Sequence, residues 1–269
     1  MKALKERWLA WWFPDADPRN LALLRIGYAL LCLWSILELW PDRFLLDMMP
    51  SPNWSLFSLG EPSVLLAAYA VAAAALLVGA FSRVAMLVCW LFVLGLNARN
   101  PYLADGSDAV MRVFGLYCLF LPLGSTWSVD SLWRKPPARI SGWPLRLFLL
   151  NLVALYMKTG LVKLPNPTWL DGTAVFYSLA SPTFWRIPME GLLASPLFQD
   201  LTVVLTYGTL VFEIGFFMVL IRRVRPWWLL AGVGLHAGVF LFMNLGLFSP
   251  AILWTYLAIV EFPKRPGSR

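Results

Sequence analysis

The sequence predicts an all-α, polytopic integral membrane bundle of about eight transmembrane helices plus interfacial helices. Three observations predict it. First, 59% of the 269 residues are apolar and only 14% are charged, against roughly 45–50% and about 25% in ordinary soluble domains. No soluble fold of this size hides that much apolar surface, and no disordered chain carries it. Second, apolar runs of spanning length, about 20 residues each, recur along the whole chain. Third, the lysines and arginines sort to one side once eight spans are drawn.

The runs place spans near 20–40, 63–81, 84–98, 109–123, 144–164, 197–221, 226–244 and 246–262. The last two are divided only by Leu245, which requires a tight hairpin or one broken helix. Residues 1–19 read as a cytoplasmic interfacial helix, 20–262 as the transmembrane domain and 263–269 as a cytoplasmic tail. In the first segment Lys2, Lys5 and Arg7 suit headgroups, and Trp8, Trp11 and Trp12 suit the aromatic belt. Pro14 and Pro18 come after that short run, so it is not a cleavable signal. Between spans five and six, Pro165, Pro167, Pro182, Pro188 and Pro196 break any long helix. The aromatic residues between them suit a segment lying in the interface or dipping into the protein body.

Charge orients the bundle. With the N-terminus cytoplasmic, that side holds fourteen cations: Lys2, Lys5, Arg7, Arg19, Arg83, Arg134, Lys135, Arg139, Arg222, Arg223, Arg225, Lys264, Arg265 and Arg269. The outer side holds three, Arg43, Arg99 and Arg186. Losing one span scrambles this asymmetry. The reading is therefore a cell (inner) membrane protein with both termini cytoplasmic. The net charge of +7 arises from the same loops, and no basic arm points to a nucleic-acid partner. The three cysteines, Cys32, Cys89 and Cys118, fall inside apolar runs and read as packing residues. Gly234 and Gly238 form a small-xxx-small pair that suits helix packing.

Ionisable groups at membrane depth are costly, and each is a candidate for function. Arg25 and Arg146 lie about a turn from the cytoplasmic ends of their spans and are expected to snorkel. Lys158 and Lys163 lie roughly 21 and 28 Å up span five, facing about 140° apart. Lys163 shares its stripe with Thr159 and Tyr156 and is expected near the outer boundary. A lysine in a partly dry pocket can act as a base. Glu213 and His236 fall at similar depths and are expected to form an intramembrane polar pair.

The outer loop NARNPYLADGSD (97–108) gathers Asn97, Arg99 and Asn100. Ser107 is expected to cap the next helix, with Asp108 in its first turn pairing to Arg112. By topology this loop, Lys163 and Trp169–Asp171 share the outer side and converge on a polar pocket. Arg99, Asn97, Tyr156, Trp169 and Asp171 are its expected binding residues. No metal site is expected, because one His and one Glu supply too few ligands. Soluble catalytic signatures such as GxSxG, CxxC and HExxH are missing.

Four motifs in order complete the reading: RNPYLADGSDAVMR (99–112), WSVD (127–130), YMKTGLVKLPNPTWLDGTAVFYSL (156–179) and the stretch from Phe212 to Phe248. With LLRIGYALL (23–31), they make the chain resemble the horizontally transferred transmembrane (HTTM) family, related to the vitamin K-dependent γ-glutamyl carboxylase. The resemblance implies a membrane fold over about residues 20–262. It implies Lys163 as the base that deprotonates a reduced quinone of the vitamin K type, on the lumenal side. Asn100 stands where the carboxylase has an assisting His; an amide can hydrogen-bond but cannot shuttle a proton. The carboxylase's lumenal β-rich region is not expected here, since only seven residues lie beyond span eight. In WSVD, Ser128 is expected to cap a helix with Asp130 in its first turn.

Two readings of function are open. One is an enzyme-like protein of carboxylase or epoxidase type, a lyase or oxidoreductase by resemblance alone, with Lys163 and Asn100 acting on a quinone-like or lipid substrate. The other is a non-catalytic accessory subunit for export, maturation or immunity of a secreted peptide, partnered by membrane lipids and another membrane protein. A transporter fits less well, because there is no inverted repeat.

Overall fold

The structure is a computed structural model that describes residues 1–48, 60–134 and 140–262. Lys135, Arg139, Lys264, Arg265, Arg269 and the expected tail 263–269 lie outside the described residues. The chain is all-helical, with no strand and only two isolated bridges among the described residues. Four helices are long and apolar enough to cross a membrane: Pro18–Leu39, Ser82–Arg99, Trp143–Lys163 and Pro196–Leu220. A fifth, Pro62–Val78, is apolar but shorter. This is an integral membrane protein.

The chain divides into two compact units. The first comprises Met1–Leu149 and Trp254–Arg269. Its helices are α1 (Lys2–Trp12), α2 (Pro18–Leu39), α3 (Leu45–Met48), α4 (Pro62–Val78), α5 (Ser82–Arg99), α6 (Gly106–Cys118) and α7 (Asp130–Trp133), with the start of α8 (Trp143–Lys163). Proline at the first position and an acidic N-cap open α2 and α4: Asp17 accepts from the Arg19 amide and Glu61 from that of Val64. α4 lies against both α2 and α5, burying Leu66, Tyr69, Ala73 and Leu76, while Ala67, Ala68 and Ala74 are exposed. Gly79 ends α4 in the left-handed region, at φ 74°. All three cysteines are free and buried.

Buried polar groups tie one end of this unit together. Arg25 is fully buried, against the expectation that it snorkels. Its guanidinium donates to the carbonyls of Leu123, Thr126 and Trp127. The physical reason is that the loop after α6 turns in over α2 and presents carbonyls with no helical partner. Asp130 stands in the first turn of α7, as expected, and has a second role. Its carboxylate accepts from the amides of Phe81 and Ser82, both at 2.8 Å, and so caps α5. Ser128 Oγ does accept the Ser131 amide at 3.0 Å. At α6 the cap is Asp105, in a reciprocal box with Asp108, and Ser107 sits inside the first turn. Asn20 donates to the carbonyls of Leu257 and Val260. Thus the start of α2, the α4–α5 turn, the 123–130 loop and the 257–260 stretch lie at one end of the unit.

The second unit comprises Leu150–Leu253. It holds the rest of α8, then α9 (Pro167–Leu170), α10 (Ala174–Ala180), α11 (Glu190–Leu193), α12 (Pro196–Ile214), α13 (Arg225–Phe242) and the start of α14 (Phe248–Tyr256). The prolines of 165–196 divide that stretch into short helices, as their backbone chemistry requires. The stretch packs along α12. Tyr207 Oη donates to the Leu170 carbonyl at 2.9 Å, and the Val175 amide to Thr206 Oγ1 at 3.1 Å. Its later part pairs with the end of α13, through a Trp185–Met243 bridge and an Asn244 amide bond to Phe184.

α12 continues as a 3₁₀ helix over Gly215–Leu220. Tightening frees a carbonyl from its i+4 partner, and Trp228 Nε1 donates to Phe212 O at 3.3 Å. A Cβ on Gly215 would stand 2.7 Å from the Trp228 ring, so the ring needs glycine there. The Gly234 and Gly238 pair does not pack: nothing lies within 4 Å of a Cβ at either. Both face outward on α13, so the spacing there serves no close helix contact among the described residues.

Asp130→Ala is expected to cost about 0.5–2 kcal/mol, the range for a lost N-cap. Burial pulls this carboxyl up, but the bonds from Ser82 and Phe81 outweigh it and hold it below the usual range. The cap's contribution is therefore present above the unfolded carboxylate pKa and fades as pH falls through the folded one. Thermal unfolding in detergent checks both: the wild-type advantage over Asp130→Ala should shrink on acidification.

Candidate functional site

The second unit gathers four polar side chains in an apolar, aromatic setting. Lys163, in the last turn of α8, meets Glu213, near the end of α12. Its Nζ donates to Oε1 at 2.5 Å and also to Oε2. Glycine makes this approach close: a Cβ on Gly160 would stand 2.7 Å from Ile214 and 3.0 Å from the Glu213 Cβ. One turn separates Gly160 from Lys163, so the residue that admits α12 also aims the lysine at it. The Trp169 ring covers the ammonium, 4.9 Å from Nζ to centroid. The three ammonium donors are thus spent on two carboxylate oxygens and one π face. Side-chain exposure is 24% for Lys163 and 11% for Glu213, so the pair is largely withdrawn from solvent.

Two turns back on the same stripe, Tyr156 Oη lies 2.7 Å from His236 Nε2. Tyr156 stacks on Phe216 with centroids 4.0 Å apart and meets the edge of Phe212 at 5.3 Å. Thr159 donates its hydroxyl to the Tyr156 carbonyl at 2.8 Å, satisfying an oxygen inside α8. His236 is 4% exposed, and its Nδ1 is buried with no hydrogen-bond partner among the described residues. The expected pairing of Glu213 with His236 is therefore replaced: Glu213 takes Lys163, and His236 takes Tyr156. Equal depth in sequence did not specify angular position, and the 3₁₀ turn at Gly215 rotates the residues beyond Glu213.

Lys163 is the last residue of α8 and Glu213 the last but one of α12, so the pair joins the final turns of these two helices. Lys158 is exposed, on a different face of α8, as the 140° offset requires.

The remaining expected site residues have local roles. In the first unit Arg99 is buried, paired with Asp47 and bonded to the Gly60 carbonyl at 2.6 Å. Asn100 donates to the Leu45 carbonyl at 2.6 Å and accepts the Tyr102 amide at 3.0 Å, so both ends of its amide hold backbone. Asn97 Nδ2 is buried, and its amide faces the Asp108 carboxylate. In the second unit Asp171 accepts from the Thr173 hydroxyl and amide, which hold its carboxyl below the usual range. That is a turn-forming role. Within the second unit the structure brings together Lys163, Glu213, Trp169, Tyr156 and His236. Sequence reasoning named each of these five, but not the Lys163–Glu213 partnership. Gly160 was the available signal for it.

An apolar helical unit that buries an ion pair beside a Tyr–His pair defines a membrane protein with a polar interior. The chain belongs to the HTTM family, whose HTTM domain matches residues 13–263. The uncharacterized protein YitO of Bacillus subtilis (strain 168) is similar, 26% identical over 229 residues, covering 77% of this chain and 71% of that protein. No solved structure matches the chain.

Gly160→Ala tests the close approach. In an open helix that change stabilises by about 1 kcal/mol. Here the added methyl meets Ile214 and Glu213, so a net loss of about 1–3 kcal/mol is expected. A raised unfolding midpoint would contradict the packing.

Proposed function

We propose that this chain is an eight-span carboxylase-like membrane protein with both termini cytoplasmic, in which Lys163 and Glu213 together take a proton from a reduced quinone-like or lipid substrate reached from the extracytoplasmic side. The observation that carries the reading is the largely buried Lys163–Glu213 pair, which an apolar unit keeps at a cost in desolvation. Orientation is supported by the cation asymmetry. It is supported again by the first unit, where the segments meeting at one end are all ones that the charge count assigns to the cytoplasm.

The chemistry uses the pair as one group. As an ion pair, Lys163 has no lone pair to offer. A proton passed from Nζ to Glu213 leaves a neutral amine beside a carboxylic acid, and both forms are close in energy where water is scarce. The amine then accepts a proton from an acidic hydroxyl and becomes an ammonium again. The resulting oxyanion is held by that ammonium, while Glu213 keeps the first proton. A reduced quinone supplies such a hydroxyl when bound. The residues present suit it: aromatic rings from Tyr156, Phe212 and Phe216 line the neighbourhood, and His236 offers a buried nitrogen. Asn100 fits less well as the partner of Lys163 than Glu213 does, because its amide is spent on backbone.

Small molecules co-purifying with the protein provide the test. Mass spectrometry of detergent extracts should find an enriched quinone or lipid in wild type that is lost in Lys163→Ala and in Glu213→Gln. Equal recovery from all three would reject the reading and favour the accessory-subunit role. A separate experiment addresses the topology. An impermeant maleimide applied to intact cells should label Asp171→Cys and leave Arg222→Cys unlabelled; the opposite pattern would overturn the orientation.

A further inference from the structure

His236 raises a question that the Lys163–Glu213 pair leaves open. Its ring is 4% exposed, sits 5.9 Å from the Phe248 ring and is fixed on one side by Tyr156. The other nitrogen, Nδ1, has no partner among the described residues. A buried ring nitrogen left unpaired is destabilising. Tyr156 accounts for Nε2, since a phenylalanine here would leave the buried Tyr156 hydroxyl without its partner; it does not account for Nδ1.

We propose that His236 Nδ1 is a ligand-binding point that hydrogen-bonds an oxygen of a hydroxylated aromatic ring whose reactive hydroxyl meets Lys163 and Glu213. This rests on the proposed function and adds a second contact to it. The tautomer of His236 is set by the direction of the Tyr156 bond, so Nδ1 is a donor in one case and an acceptor in the other. A ligand hydroxyl serves both, because it can donate and accept. A carbonyl or ether serves only the first. The aromatic residues around the site supply the faces against which a flat ring packs. A para-dihydroxylated ring carries two such oxygens at opposite ends, one for each polar group.

Two substitutions separate ligand binding from a role confined to Tyr156. Asparagine puts its polar atoms near the position of Nδ1, and glutamine reaches the position of Nε2. Purified full-length protein in detergent is titrated calorimetrically with 1,4-dihydroxynaphthalene kept reduced under argon. His236→Asn should bind within about threefold of wild type. His236→Gln should bind about tenfold or more weakly, the loss expected for one buried hydrogen bond. The reverse order means that His236 serves Tyr156 alone and overturns the proposal. Equal affinities mean that a trapped water satisfies Nδ1, which also overturns it. If wild type binds the probe and Lys163→Ala binds equally well, the proposed function fails instead. No binding by wild type rejects both.

Discussion

A lysine and a glutamate that meet inside an apolar unit constrain everything near them. Neither charge is tolerable alone in a medium of low dielectric, so each fixes the position of the other. The requirement reaches the backbone. Helix α8 must run close enough to α12 for the side chains to meet, and Gly160 is what allows it. α12 must present Glu213 before it tightens into its 3₁₀ end, where Trp228 covers Gly215. The segment after α8 must fold back to lay Trp169 over the ammonium. Two prolines and the turn at Asp171 bend it there.

The first unit shows the same logic with a structural result. Arg25 is as deeply buried as any described residue, yet each hydrogen bond its guanidinium donates goes to a loop carbonyl. Arg99 closes the other end through Asp47 and Gly60. These cations tie turns to helices. Lys163 differs from Arg99 in that its carboxylate partner is itself withdrawn among aromatic rings, whereas Asp47 is mostly exposed. Under the proposed function that setting is what lets a proton move between the two groups.

Hydropathy carried most of the fold. The edges of the apolar runs fall within a few residues of helix ends over α2, α4, α5, α8 and α12, because capping residues and prolines sit where the runs stop. Rotation about the helix axis was less legible. The stripe of Tyr156, Thr159 and Lys163 was readable from α8 alone, but the partner of Lys163 depends on how α12 turns against it. That is a tertiary fact. The same gap explains Arg25, whose carbonyl partners lie about a hundred residues away, and Asp130, which caps a helix 48 residues earlier. The Gly234–Gly238 spacing misled in the other direction, since small residues permit close packing without requiring it.

The most direct measurement compares Lys163→Met, Glu213→Leu and the double variant for both thermal stability and ligand retention. Each single change strands a buried charge and should destabilise by about 3–5 kcal/mol. The double variant removes both charges and should recover most of that stability while retaining none of the co-purifying small molecule. A stable double variant that still holds its ligand would show that the ion pair serves the fold alone, and would contradict the account.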